Sequence, residues 1–111
     1  MNIQISSTNE FMVVGVTGRI DTTNAAEFER TVIDLVDKGS KGIVVDCSGL
    51  NYISSSGLRV FLVIQKRMNT DNGIFRLSNL QPEIKEIFDI SGFSNIFSIF
   101  ADKSEAVKAG A

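Results

Sequence analysis

The chain has no histidine and no tryptophan, and it has one cysteine, one proline and one tyrosine. Each shortage closes off a class of function. Without histidine there is no Ser-His-Asp or Cys-His arrangement and no metal site built on imidazole. One cysteine, Cys47, allows no internal disulfide, and its place at the end of an apolar run marks a buried, inert thiol. With tryptophan absent, base stacking would fall to the eight phenylalanines, most of which stand at positions expected in a core. Neither sign of charge dominates: Lys and Arg number 11, Asp and Glu 13, for a net −2. Nothing in that balance attracts nucleic acid or an anionic membrane. No apolar run approaches the roughly 20 residues that span a bilayer. Met1 to Ile5 has neither the basic start nor the apolar block of a signal peptide. The expectation is a cytoplasmic protein with no metal, no cofactor and no enzymatic activity.

What is present reads as one α/β domain over residues 1–111. Ile3-Gln4-Ile5 alternates, and Phe11 to Thr17 is apolar and β-branched, so the two segments should form a hairpin, with Gly18 closing the second strand. Asn24 followed by Glu27 fits a capping box. The helix behind it repeats apolar residues at Ala25, Phe28, Val32, Leu35 and Val36, and Gly39 ends it. Lys41 to Cys47 is a strand apolar enough to be covered on both faces. A serine loop leads into a helix reaching about Met68, and Asp71-Asn72-Gly73 is a turn. A strand over Ile74 to Leu77, a helix opened by Pro82 and stopped by Gly92, and a strand over Ile96 to Phe100 follow. Asp102 and Glu105 open a short last helix to about Lys108. The order ββαβαβαβα implies a mixed, mostly parallel sheet of about five strands with helices packed on it.

The serine loop stands out. Ser54-Ser55-Ser56 precedes Gly57 and the apolar run Leu58 to Ile64. One serine suffices to cap a helix, so three are a surplus. A nucleophilic serine needs a base and an oxyanion hole, and the chain has neither a histidine nor a Gly-x-Ser-x-Gly elbow. One glycine without a following Gly-Lys is a poor phosphate cradle. Two readings stay open: a capping cluster, or a serine that is itself the substrate of a kinase. A phosphate at a helix start adds charge where the helix dipole favours it, so it would change docking rather than unfold the helix.

On a helical projection Leu58, Phe61, Leu62 and Gln65 share one face, expected to be the core face, while Val60, Val63 and Ile64 fall outside it. Arg59, Lys66 and Arg67 form a basic ridge opposite Phe61. Val60 and Ile64 either pack under neighbouring helices or join a docking surface beside the serines.

The run Asp46-Cys47-Ser48-Gly49-Leu50 through Ser54-Ser55-Ser56-Gly57-Leu58 resembles the signature of bacterial anti-sigma factor antagonists, the STAS-domain family. Gly18-Arg19-Ile20-Asp21 resembles that family's Gly-x-Leu-Asp loop, and Leu80 to Phe100 its third helix and last strand. The resemblance implies the STAS fold and a phosphorylation switch. On it, Ser55 is the phosphorylated serine, with Ser54 and Ser56 as alternatives. The unphosphorylated form binds an anti-sigma factor that is also a serine kinase and so releases the sigma factor. Phosphorylation blocks binding, and a PP2C-type phosphatase restores it. Gly18, Asp21, Ser54, Ser56, Gly57, Arg59, Val60 and Val63 are the implied partner-binding residues. The family's best-known members have Asp where this chain has Ser54. The competing reading is a STAS subunit of a lipid-transport or signalling assembly that is never phosphorylated.

Overall fold

A computed structural model describes residues 1–108. Its elements run β1 (Asn2–Thr8), β2 (Phe11–Ile20), α1 (Ala25–Asp37), β3 (Gly42–Ile53), α2 (Ser55–Thr70), β4 (Ile74–Ser78), α3 (Pro82–Ile90), β5 (Ser98–Phe100) and α4 (Lys103–Ala106), with a 3-10 turn at Phe93–Asn95. The expected order ββαβαβαβα is the observed one. The five strands lie in the sheet as β1-β2-β3-β4-β5. β1 and β2 are antiparallel, and every later pair is parallel.

The layering follows from that order. Three parallel crossovers each move one strand further in the same direction, and right-handed crossovers then place their helices on one face. The main core accordingly joins Phe28, Val32 and Val36 of α1, Phe61 and Ile64 of α2, and Ile84 and Phe88 of α3 with the strands beneath. Six of the eight phenylalanines meet there. Phe61 stacks on Phe28 at 5.4 Å between ring centroids and meets Phe75, Phe88 and Phe97 edge-on. Burying one such ring is worth about 1.5–3 kcal/mol. The other sheet face carries a smaller cluster of Phe11, Val13 and Val44 under Ala106 and Val107. The last two phenylalanines, Phe11 and Phe100, flank the buried guanidinium of Arg76 at 5.0 and 5.2 Å.

Several boundaries differ from expectation, among them β1, which runs on to Thr8, and α4, which ends at Ala106. β2 does not stop at Gly18 but continues to Ile20, and β3 runs past Cys47 to Ile53. Gly15 pairs with Asp46 while Ile20 pairs with Ile53, so β3 accommodates its extra residues in two register shifts. Such bulges re-aim side chains without ending the strand. Here they leave Ile20 and Ile53 in the core, while Arg19 and Tyr52 pair at the rim. At the other end of the chain, β5 begins at Ser98, not Ile96. Gly92 takes a left-handed conformation, and Phe93–Asn95 forms a turn that brings Phe93 and Phe97 into the aromatic cluster and leaves Ile96 exposed.

Candidate functional site

Ser54 alone separates β3 from α2, so the expected loop is one residue long. Its backbone is extended, at φ −86° and ψ 172°. Its amide donates to the Ile20 carbonyl at 2.9 Å, which continues the β2–β3 ladder into the helix start. Its hydroxyl accepts from the Gly57 amide at 3.2 Å, satisfying one of the orphan donors of the first turn. Ser54 is therefore the cap. Ser55, the first helical residue, is exposed, and Ser56 is half-buried.

Gly57 explains how α2 comes so close to the strands. A Cβ at this position would lie 2.7 Å from Ile53 Cγ1 and 2.8 Å from Ile20 Cγ2. Only a residue without a side chain lets the helix start rest on the ends of β2 and β3. Gly18 meets a different demand. It stays inside β2 at φ +99°, a conformation that glycine adopts without strain, and the Met1 backbone lies beside it.

The neighbouring β2-to-α1 turn is built around Asp21. Its carboxylate accepts from the Thr23 hydroxyl at 2.6 Å and from the Thr23 amide at 2.9 Å. The Thr23 hydroxyl, then the Thr23 amide, and more weakly the Arg19 charge hold this carboxyl below its ordinary pKa. Asn24 precedes α1 but does not cap it, and the expected capping box with Glu27 is absent. Its side chain turns back instead, accepting from the Asp21 amide at 2.9 Å and donating to the Arg19 carbonyl at 2.9 Å. The local turn thus outcompetes the helix for Asn24. Arg19 stacks over the Tyr52 ring at 4.1 Å. Neither residue stood out in the sequence, although both lie in the motifs. What joins them is the register of two parallel strands, which pairs Arg19 with Tyr52.

Helices α1 and α2 leave a shallow groove of about 370 Å³ between them, walled by Thr22, Ala25 and Glu29 on one side and Ser56, Arg59 and Val63 on the other. The core face of α2 is not the expected one. Its buried stripe is Gly57, Val60, Phe61, Ile64 and Met68, whereas Leu58, Leu62 and Gln65 are only partly buried. The helix is apolar most of the way round, so periodicity did not decide its orientation. Packing against α1 did. Val60, 5% exposed, therefore lies at the base of the groove, and Val63, 38% exposed, stands at its rim. The basic ridge is divided as well. Arg67 is tied to Asp37 at 2.7 Å and to Asp71 at 2.9 Å, while Arg59 and Lys66 are exposed.

The structure thus brings the Ser54 cap together with Ser55, Ser56, Gly57, Arg59, Val60 and Val63 on the first turns of α2, with Gly18 in the adjoining end of β2 and Asp21 just after it. An anion on Ser55 would sit at the helix N-terminus, where the dipole favours it, one turn before Arg59. Cys47 is buried, and burial together with the Asp46 carboxylate pushes its thiol far above the usual range. Among the described residues no His, Cys, Asp or Glu cluster could hold a metal ion, and no helix is long and apolar enough to cross a membrane.

Comparison with known proteins places this arrangement. Residues 2–106 match the model of the STAS domain. The chain is 35% identical over 109 residues to BtrV of Bordetella bronchiseptica, a candidate anti-sigma factor antagonist, covering 98% of this chain and 93% of that protein. It is 28% identical over 105 residues to the anti-sigma-B factor antagonist of Bacillus subtilis, covering 95% and 94%. The solved structure of the anti-sigma factor antagonist SpoIIAA in its unphosphorylated form superposes with a TM-score of 0.81 at 21% identity, over 96% of this chain and 93% of that one. SpoIIAA of Bacillus in its phosphorylated form gives 0.74 at 21% identity over 96% of each. By the family match, the relative above 30% identity and the shared α/β fold, the chain belongs to the STAS-domain family.

Proposed function

We propose that this protein is an anti-sigma factor antagonist controlled by phosphorylation of Ser55. In the unphosphorylated state it binds a serine-kinase anti-sigma factor and so frees the sigma factor. The kinase phosphorylates Ser55, binding is lost, and a PP2C-type phosphatase reverses the change. The protein itself is a binding module and catalyses nothing. One observation carries the reading. Of three adjacent serines, Ser54 is occupied as a cap, whereas Ser55 is exposed and directly precedes Ser56 on the wall of the α1–α2 groove.

The physical argument is electrostatic. A phosphate adds about −1.5 to −2 charges. At the first helical position those charges are tolerated by the protein's own dipole. A partner seated over the groove would have to desolvate them, which penalises association. Ser56, Arg59 and Val63 on the groove wall, with Gly18 and Asp21 at the neighbouring end of β2, are the proposed partner contacts, while the buried Gly57 and the cap Ser54 set the helix start and Val60 the groove base. The names of the relatives, BtrV and the Bacillus antagonist, support the same function.

The test is mass spectrometry after incubation with ATP and the serine-kinase anti-sigma factor encoded in the same genome. Phosphate should appear on Ser55. Calorimetric titration should then give weak binding for Ser55→Asp and tight, ATP-insensitive binding for Ser55→Ala. No phosphate on Ser54, Ser55 or Ser56, or equal affinity for the two variants, would sink the proposal.

A further inference from the structure

Among the described residues, no strand pairs with the outer edge of β1. Asn2–Thr8 is seven residues long, reads NIQISST, and contains no charge, proline or glycine. Its pairing with β2 runs from Asn2–Thr17 to Thr8–Phe11 with no register shift. Charges, prolines, bulges and short length are the devices that keep sheet edges from joining, and β1 has none of them. The opposite edge contrasts with it. β5 is three residues long, and the charged Asp102, Lys103 and Glu105 lie within five residues of its end.

The hairpin turn tells which backbone groups are free. Asn9 and Glu10 both have positive φ, 49° and 72°, the pattern of a two-residue type I′ turn. Such a turn closes on a hydrogen-bonded pair, here Thr8 with Phe11. Alternation then directs the N–H and C=O groups of Asn2, Gln4, Ser6 and Thr8 to β2, and those of Ile3, Ile5 and Ser7 away from the sheet. The free groups are centred on Ile5.

We propose that this edge pairs antiparallel with the same edge of a second copy of the chain, with a twofold axis beside Ile5. In that register Ile5 of the two copies meet, Ile3 of each faces Ser7 of the other, and Gln4 faces Ser6. No like charges oppose each other. The three outward residues make about six new backbone hydrogen bonds. Ile5, 45% exposed on the helix-bearing side, finds an apolar neighbour. A second copy is favoured over a foreign peptide because the outward backbone groups are centred on Ile5 of a charge-free strand, so twofold pairing fills all of them with no like charges opposed. A joined strand edge falls short of the roughly 1,200 Å² of a stable interface, so the dimer is weak and concentration-dependent. Antiparallel joining sends the Met1 ends, and with them the Gly18 and Ser55 sites, to opposite ends of the combined sheet. The inference therefore does not depend on the switch at Ser55.

Sedimentation equilibrium of the full chain, from about 10 µM to about 1 mM, tests it. The weight-average mass should rise toward twice the monomer, with a dissociation constant on the order of 100 µM. Hydrogen exchange at the Ile3, Ile5 and Ser7 amides should slow by about fourfold across the same range, as the monomer fraction falls at that dissociation constant. Ile5→Lys sets two ammonium groups against each other and should return the protein to a monomer, with circular dichroism confirming an unchanged fold. Ile96→Lys, at an exposed isoleucine outside β1, should leave association intact. A monomer at every concentration, a dimer that survives Ile5→Lys, or concentration-dependent protection on α2 in place of β1 would each overturn the proposal.

Discussion

The Ser54 hydroxyl accepts a hydrogen bond from the Gly57 amide at 3.2 Å, and this contact divides the labour among three adjacent serines. It makes the first a structural cap and leaves the second, Ser55, facing solvent on the first turn of α2. The two residues should therefore respond in opposite ways to the same substitution. Ser54→Ala should lower stability by about 1 kcal/mol, the usual cost of a lost cap, and leave Ser55 open to the kinase. Ser55→Ala should leave stability within about 0.5 kcal/mol of wild type, as exposed substitutions do, and abolish phosphorylation. Urea unfolding and phosphopeptide mapping on both variants check the pair. Loss of phosphate in Ser54→Ala but not in Ser55→Ala would reverse the assignment.

Gly57 is the second test of the helix start. A Cβ there would press on Ile53 and Ile20 at less than 3 Å, and both are buried branched side chains with little room to yield. Gly57→Ala should cost about 1–3 kcal/mol by overpacking and lift the first turn of α2 away from the strands. Thermal unfolding measures the cost. Chemical-shift changes should be concentrated at Ile20, Ile53 and Ser54. A variant as stable as wild type would mean that the helix start shifts freely.

On the opposite sheet face, Arg76 holds α4 and the residues just behind it. Its Nη1 donates to the Ala106 carbonyl at 3.0 Å and to the Lys108 carbonyl at 2.8 Å. Arg76→Met keeps much of the length and removes the donors. It should cost about 2 kcal/mol, as expected for hydrogen bonds from a charged group. Amide exchange in Lys103–Ala106 should accelerate more than exchange in α1 or α2. Uniform acceleration across all the helices would mean that α4 does not loosen on its own.

Asp21 should confer an acid-side dependence. Its folded pKa is depressed, chiefly by the hydrogen bonds from Thr23. A depressed carboxylate contributes stability that is fully present above its unfolded pKa, about 3.9, and is lost as the pH falls through the lower folded value. The gap in melting temperature between wild type and Asp21→Asn should therefore be widest near pH 5 and close toward pH 2. Because Asp21 is partly exposed, salt should shrink the gap. A gap that widens as the pH falls would have the wrong sign.

Much of this molecule was legible in its sequence. Alternating strand and helix segments, Asp71-Asn72-Gly73, Pro82 and the Asp102 cap each act through local geometry, and each appears where local geometry puts it. The motif around Ser54 to Gly57 gave the helix start for the same reason: capping and a close helix approach are demands on adjacent residues. Long-range competition decided the rest. Asn24 fits a capping box locally, but the Arg19 carbonyl and Asp21 amide claim its side chain. β3 reads as finished at Cys47, yet pairing with β2 carries it to Ile53 through its bulges. The orientation of α2 was undecided because apolar residues surround it. Packing against α1 and the sheet determined that Val60 and Ile64 are buried and that Leu58 and Leu62 lie at the edge.

The sequence by itself determined the element order, the family and the cluster of three serines, because these depend on residues close together along the chain. Only the tertiary structure decided which serine is spent as the cap, which residues wall the groove, that Arg19 meets Tyr52, and that the β1 edge stands open. Each of those depends on which distant segments lie side by side, and that is settled by strand register and helix packing.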